Sequence, residues 1–123
     1  MNENKDYITK AAEKGNINIS IDVISAVAAA ATLEVEGVAS LTGFSGKDIK
    51  AFLSVKKNNG KGIKIEVEEE SIRIDVSVML DIGAEIIPVS TKIQEAVKEA
   101  VEASAGLTVS AVGVRVSGLA IGK

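Results

Sequence analysis

In the stretch Ile63-Lys64-Ile65-Glu66-Val67-Glu68-Glu69-Glu70-Ser71-Ile72-Arg73-Ile74-Asp75-Val76, apolar and charged residues alternate on both sides of an acidic turn. Strict alternation marks strands with one buried face, so the stretch reads as a hairpin turning over Glu68 to Ser71. If Val67 faces Ile72, the register pairs residues whose numbers sum to 139, which sets Ile65 against Ile74 and Ile63 against Val76. The same register places Glu66 opposite Arg73 and Lys64 opposite Asp75. One face is then wholly apolar and the other charge-complementary, and a slip by one residue would lose both. Each exposed charge pair contributes only about 0.2–1 kcal/mol, so the pairs select register while the isoleucine and valine face provides stability.

Downstream, Val78, Leu80 and Ile82 extend the apolar face and Gly83 breaks the strand. Pro88 sits where a first helical turn tolerates a missing amide. Val89, Ile93, Ala96, Val97, Ala100 and Val101 recur at helical spacing, with Lys92, Glu95, Lys98, Glu99 and Glu102 opposite them and Gly106 just beyond. Leu107 to Val116 reads as the last strand. Its apolar parity runs through Leu107, Val109 and Ala111 and then switches to Val112, Val114 and Val116, which predicts a bulge near Ala111 to Gly113. Residues 119–123 read as a C-terminal tail.

Upstream, Lys56 to Gly62 reads as an exposed loop, Lys47 to Val55 as a short helix with Ile49, Phe52 and Leu53 turned inward, and Val38 to Leu41 as a strand. A helix capped by Ser20 or Asp22 runs to about Val35, carrying Ile24, Val27, Ala28, Ala31 and Val35 at helical spacing with Gly37 beyond its end. Asn16 to Ser20 alternates as a short strand, and residues 1–15 read as a flexible N-terminal arm with a turn of helix around Tyr7 to Glu13. The resulting order, β-α-β-(short α)-β-β-α-β, is an α/β (α+β) two-layer sandwich: a mixed sheet with two long helices on one side, in a single domain over 16–118. The strand-helix-Gly-strand stretches 17–41 and 78–116 have the outline of an internal duplication.

Composition removes most chemistry. The 123 residues contain no cysteine, no histidine and no tryptophan, and only Tyr7, Phe44 and Phe52 are aromatic. Disulfides, thiolate metal sites, Ser-His-Asp triads and imidazole ligands are thereby excluded, as is an aromatic stacking platform for single-stranded nucleic acid. Asn59-Gly60-Lys61-Gly62 precedes a strand and lacks the spacing of a P-loop, so it reads as a turn. Glu66, Glu68 and Glu70 alternate without cation-loop spacing, and no acid pair sits in an evident pocket. No catalytic residue, cofactor, metal or small-molecule substrate is therefore expected.

Charge and bulk leave two candidate sites. Residues 46–64 carry six lysines against one acid, whereas residues 65–102 carry ten acids against three bases. Lys56, Lys57, Lys61 and Lys64 form a candidate contact for an anion or partner, whether acidic lipid headgroups or nucleic acid, although overall acidity argues against nucleic acid. The uncharged run Val23 to Leu33 is too short to span a bilayer. Its residues Ala28, Ala30 and Ala31 present so little bulk that they form a candidate self-association seam, the other reading being a helix buried by its own fold. With no targeting segment, the chain reads as cytoplasmic.

Taken in order, several of these segments together resemble the alkaline-shock, envelope-stress-response family of Gram-positive bacteria. They are Ile17-Asn18-Ile19-Ser20, Val23-Ile24, Glu34-Val35-Glu36-Gly37-Val38, Gly62-Ile63-Lys64-Ile65-Glu66-Val67, Ile72-Arg73-Ile74-Asp75-Val76, Ile87-Pro88-Val89, Gln94-Glu95-Ala96-Val97-Lys98, Gly106-Leu107-Thr108-Val109 and Val112-Gly113-Val114-Arg115-Val116. The likeness covers residues 16–118, and Val76-Ser77-Val78-Met79 departs from it where many relatives carry a tyrosine and larger side chains. It implies a non-enzymatic protein of envelope homeostasis that acts through protein contacts and homo-oligomers. For some members it implies a separate membrane-spanning anchor that holds them at the inner face of the membrane, and for others a link to fatty-acid metabolism.

Overall fold

A computed structural model describes residues 7–44 and 62–121. Within them the elements follow in the order β1 (Tyr7–Ala12), β2 (Gly15–Ser20), α1 (Ile21–Leu33), β3 (Val38–Leu41), β4 (Ile63–Val67), β5 (Ile72–Asp81), α2 (Ile86–Ala105) and β6 (Val109–Ala120). The short helix expected over Lys47 to Val55, and the loop lysines Lys56, Lys57 and Lys61, lie outside the described residues.

β5 is the axis of the molecule. Its alternate side chains Ile72, Ile74, Val76, Val78 and Leu80 are all buried under the helices, each contributing about 1.5–3 kcal/mol of transfer free energy, while Arg73, Asp75, Ser77, Met79 and Asp81 lie half-exposed on the other face. β4 pairs antiparallel with the first half of β5 in the predicted register, Ile63 with Val76, Ile65 with Ile74 and Val67 with Ile72. The turn closes through Glu68 N–H to Ser71 C=O at 2.8 Å. β3 pairs antiparallel with the second half of the same edge. Ser77 is the changeover point, donating to Gly62 C=O at 2.7 Å and accepting from Thr42 N–H at 2.9 Å. β6 runs parallel along the whole opposite edge of β5, a pairing that needs a crossover, which α2 supplies.

The charges on the open face pair along the strands and not across them. Arg73 Nη2 lies 3.2 Å from Asp75 Oδ1 and Lys64 Nζ lies 3.9 Å from Glu66 Oε2, although Glu66–Arg73 and Lys64–Asp75 are the register partners. Residues two apart on a strand share a face at about 6.6 Å, farther than residues opposed across it but within reach of long charged side chains, so the alternation fits either choice of partner.

α1 begins at Ser20, whose Oγ accepts Asp22 N–H at 3.1 Å, and ends earlier than periodicity suggests, with Glu34 as its C-cap. α2 buries Val89, Ile93, Val97 and Val101 and stops at Gly106, whose φ of 70° provides the left-handed cap. Both helices pack on one side of the sheet and against each other, forming the expected two-layer α/β sandwich.

Two terminal expectations are corrected. Tyr7–Ala12 is neither a loose arm nor a helical turn but a strand paired antiparallel with Gly15–Ser20, Ile8 facing Ile19. Ile8 is buried in the core, and Lys10 Nζ donates to Gly106 C=O, placing a cation at the C-terminus of α2. At the other end β6 extends to Ala120, so residues 119 and 120 belong to the sheet.

β6 carries its bulge at Ser110, earlier than the parity switch suggested, and has a second irregularity at Ser117. Each serine occupies an extra position and donates to a β5 carbonyl, Ser110 Oγ to Ile72 C=O at 3.2 Å and Ser117 Oγ to Val78 C=O at 3.3 Å. A hydroxyl at each irregularity compensates for the ladder contact that the extra residue displaces.

Candidate functional site

Of the predicted lysine cluster, only Lys64 falls among the described residues. It is exposed on the open face of β4, beside Glu66. The three alanines do not share one exposed face. Ala28 is fully buried in the core, Ala30 is exposed, and Ala31 is half-buried at a groove between α1 and α2. That groove, of about 430 Å³, is lined by Ala31, Val35, Ala96, Ala100 and Ala103, with Glu34 and Glu99 among its polar residues.

Of the acids that the alternation singled out, Glu68 is engaged by the fold. Glu68 Oε1 accepts from Ser71 Oγ at 2.9 Å and lies 2.9 Å from Ser110 Oγ, whose single proton it shares with Ile72 C=O, and so ties the β4–β5 turn to the first bulge of β6. Among the described residues no three carboxylates gather as a metal site would require.

What sequence reasoning missed is the relation between α2 and the outer edge of β6. Gln94, Lys98 and Glu102 fall at successive four-residue steps on one side of α2. Gln94 Nε2 donates to Val112 C=O at 3.0 Å, Glu102 Oε2 accepts Val109 N–H at 3.0 Å, and Lys98 Nζ holds the same carboxylate oxygen at 2.8 Å. The hydrogen bond from Lys98, then that from Val109, keeps the Glu102 carboxyl below the usual carboxylate range. These side chains seal the first half of an edge strand that nothing else covers among the described residues. A run of polar residues four apart was visible in the sequence, but it reads equally well as a solvated helix face.

Before Gln94 the sealing side chains give way to the short Ser90 and Thr91, and apolar residues follow in the first turn. Ile86 and Ile87 in the first turn of α2, Ile82 at the end of β5, and Leu119 and Ile121 at the end of β6 are all exposed, Ile87 to 73% and Ile121 to 84%. Ile82 N–H donates to Ala120 C=O at 2.9 Å, which joins the two strand ends at this corner.

A scan against family models matches residues 9–121 to the alkaline shock protein family, described as having a cell envelope-related function. The chain belongs to the alkaline shock protein family. Among its relatives, the chain is 38% identical over 106 residues to the uncharacterized protein Spy1535 of Streptococcus pyogenes serotype M6, covering 85% of this chain and 79% of the relative. It is 32% identical over 110 residues to the uncharacterized protein YloU of Bacillus subtilis, covering 87% and 90%. It is 29% identical over 106 residues to the uncharacterized protein YqhY of the same organism, covering 85% and 77%. No solved structure matches. The family match begins at residue 9, within β1, so it includes most of the N-terminal hairpin.

Proposed function

We propose that this alkaline-shock-family protein is a non-enzymatic module of the cell envelope that works by protein–protein contact, as an adaptor that self-associates and engages a partner at the inner face of the membrane. The observation that carries this reading is the corner formed by Ile82, Ile86, Ile87, Leu119 and Ile121, where large apolar side chains are left to solvent while the described ion pairs, Lys64–Glu66, Arg73–Asp75 and Lys98–Glu102, join neighbours within one strand or helix. Exposed apolar groups gathered at one place serve contacts between proteins. No helix among the described residues is long and apolar enough to cross a membrane, so in this account a membrane-spanning partner supplies the attachment. Self-association is assigned to the helix layer, where Ala30 is exposed beside the groove at Ala31.

The competing account is an anion-binding module built on Lys56, Lys57, Lys61 and Lys64. Co-sedimentation with vesicles of anionic lipid at low and high salt separates the two, because lysine–phosphate attraction is screened by salt and apolar contact is not. The contact account predicts no salt-sensitive co-sedimentation in the absence of a protein partner. Salt-sensitive binding to bare vesicles would overturn it.

A further inference from the structure

The outer edge of β6 divides into a sealed half and an open half. Ile72 N–H donates to Thr108 C=O and Ile82 N–H to Ala120 C=O, and between them the register sets Ala111, Gly113, Arg115, Gly118 and Ala120 against odd-numbered residues of β5. In a parallel ladder those β6 residues turn their backbone groups toward β5, so Val112, Val114 and Val116 turn theirs away. The Gln94 hydrogen bond to Val112 C=O agrees with this assignment. Among the described residues, nothing pairs with the outward N–H and C=O of Val114 and Val116.

The seal does not extend further because the helix sequence changes. From Gln94, seven residues toward the start of α2 cover about 10 Å, and three to four residues along β6 from Val112 cover about the same. By these rises Ile87 falls about level with Val116. Gln94, Lys98 and Glu102 cap the first half of the edge through side-chain hydrogen bonds, whereas Ile87, seven residues before Gln94 on the same side of α2, and its neighbour Ile86 are exposed apolar residues. The valines of the inner face, Val112, Val114 and Val116, are half-buried, unlike the wholly buried β5 residues beside them, so the apolar floor of the sheet continues to the open edge. β6 has neither lysine nor proline to discourage pairing; its single charge is Arg115, exposed on the opposite face and without an ion pair among the described residues.

We propose that the β6 edge at Val114 and Val116 is a strand-addition site for an extended segment of a partner protein, one with branched apolar residues at alternate positions and an acidic residue opposite Arg115. The apolar residues would lie under Ile86 and Ile87 and beside Leu119, and the acid would meet the guanidinium. A second copy of this chain fits less well: the two-fold antiparallel pairing that uses Val114 and Val116 of both copies is centred on Arg115 and opposes two like charges. The proposal rests on the contact-module reading only in requiring a protein partner, and it is independent of self-association through the helix layer.

The test uses the full chain and a synthetic nine-residue peptide alternating threonine and valine with glutamate at its centre, beside a version with lysine at its centre. Hydrogen exchange read residue by residue should show the amides of Val114 and Val116 slowed at least about tenfold by the glutamate peptide, with weaker slowing by the lysine peptide. Arg115→Glu, at an exposed position, should reverse that preference. Val114→Pro removes an amide that points away from β5 and should abolish binding; Leu119→Lys should weaken it while leaving the β5 ladder amides protected. The proposal is overturned if neither peptide slows these amides, if Arg115→Glu leaves the preference unchanged, or if the amides of the free protein slow with its own concentration, which would assign the edge to a second copy. A failure of the contact-module reading would appear instead as salt-sensitive vesicle binding with the peptide result intact.

Discussion

At Glu102 a helix, a strand edge and a cation meet, and the carboxylate serves all three. Its lowered pKa, caused first by the Lys98 hydrogen bond and then by the Val109 amide, means that the folded state holds the charged form more firmly than the unfolded chain does. This contribution is present above the ordinary carboxylate range and is lost as pH falls through the lowered folded value. Chemical denaturation across that acid window should show stability declining in the parent protein, and the decline should be shallower in Glu102→Gln. Gly113 presents a different constraint. A Cβ there would collide with Asp75 Oδ1 and approach Arg73 Nη2 to 3.2 Å, because the Arg73–Asp75 pair lies across the glycine. Gly113→Ala should displace the half-exposed Arg73–Asp75 pair and change stability by less than about 1 kcal/mol by denaturant unfolding, with a larger gain in the Asp75→Ala background, where nothing has to move. Gly118 stands in the same relation to Met79, whose Cε would lie 3.0 Å from an added Cβ.

Among the elements, β5 and the β1–β2 hairpin lie at opposite extremes of stability. Ile74→Ala, at a fully buried position of β5, should cost about 2–5 kcal/mol, read as a shift in denaturation midpoint with an unchanged slope. The hairpin is exposed at most positions and anchored chiefly by Ile8, by half-buried Ile19 and by the contact of Lys10 with Gly106. A two-stranded ribbon is marginal alone, so its amides should exchange well before those of β5, and Ile8→Ser should accelerate them while leaving β5 protected. The same contrast explains what the sequence revealed. The β4–β5 register was legible because one face of each strand had to be apolar, and a slip would have exposed it. β1 was not legible because only Ile8 of Tyr7–Ala12 is buried, which leaves no alternation to read. The Ser110 bulge showed itself as a change of parity, displaced by a residue or two. The Ser117 irregularity left the same kind of trace, a change from even Val112, Val114 and Val116 to odd Leu119 and Ile121, but a strand read as ending at Val116 stops short of it. The edge caps Gln94 and Glu102 were hidden for another reason: periodicity gives the face of a helix but not the neighbour that the face meets.

Among the described residues, the molecule's sheet is covered on one side by helices, half-exposed on the other, sealed along half of one edge and apolar at one corner. Along the sequence, residues 46–64 are basic and residues 65–102 acidic. Under the contact-module reading this body offers surfaces for contact, and its family is described by cell envelope-related function. If self-association proceeds through the helix layer, Ala30→Glu at an exposed position should lower the assembly state without changing the circular dichroism of the fold. The measurement that bears most directly on the contact account is molar mass in solution by light scattering, at low and high salt over a range of concentration, on the parent protein and on Ala30→Glu. The account predicts a mass above 12.7 kDa that grows with concentration, persists at high salt and falls in the variant. A strict monomer at every concentration, or an assembly that salt dissolves and Ala30→Glu leaves intact, would contradict it.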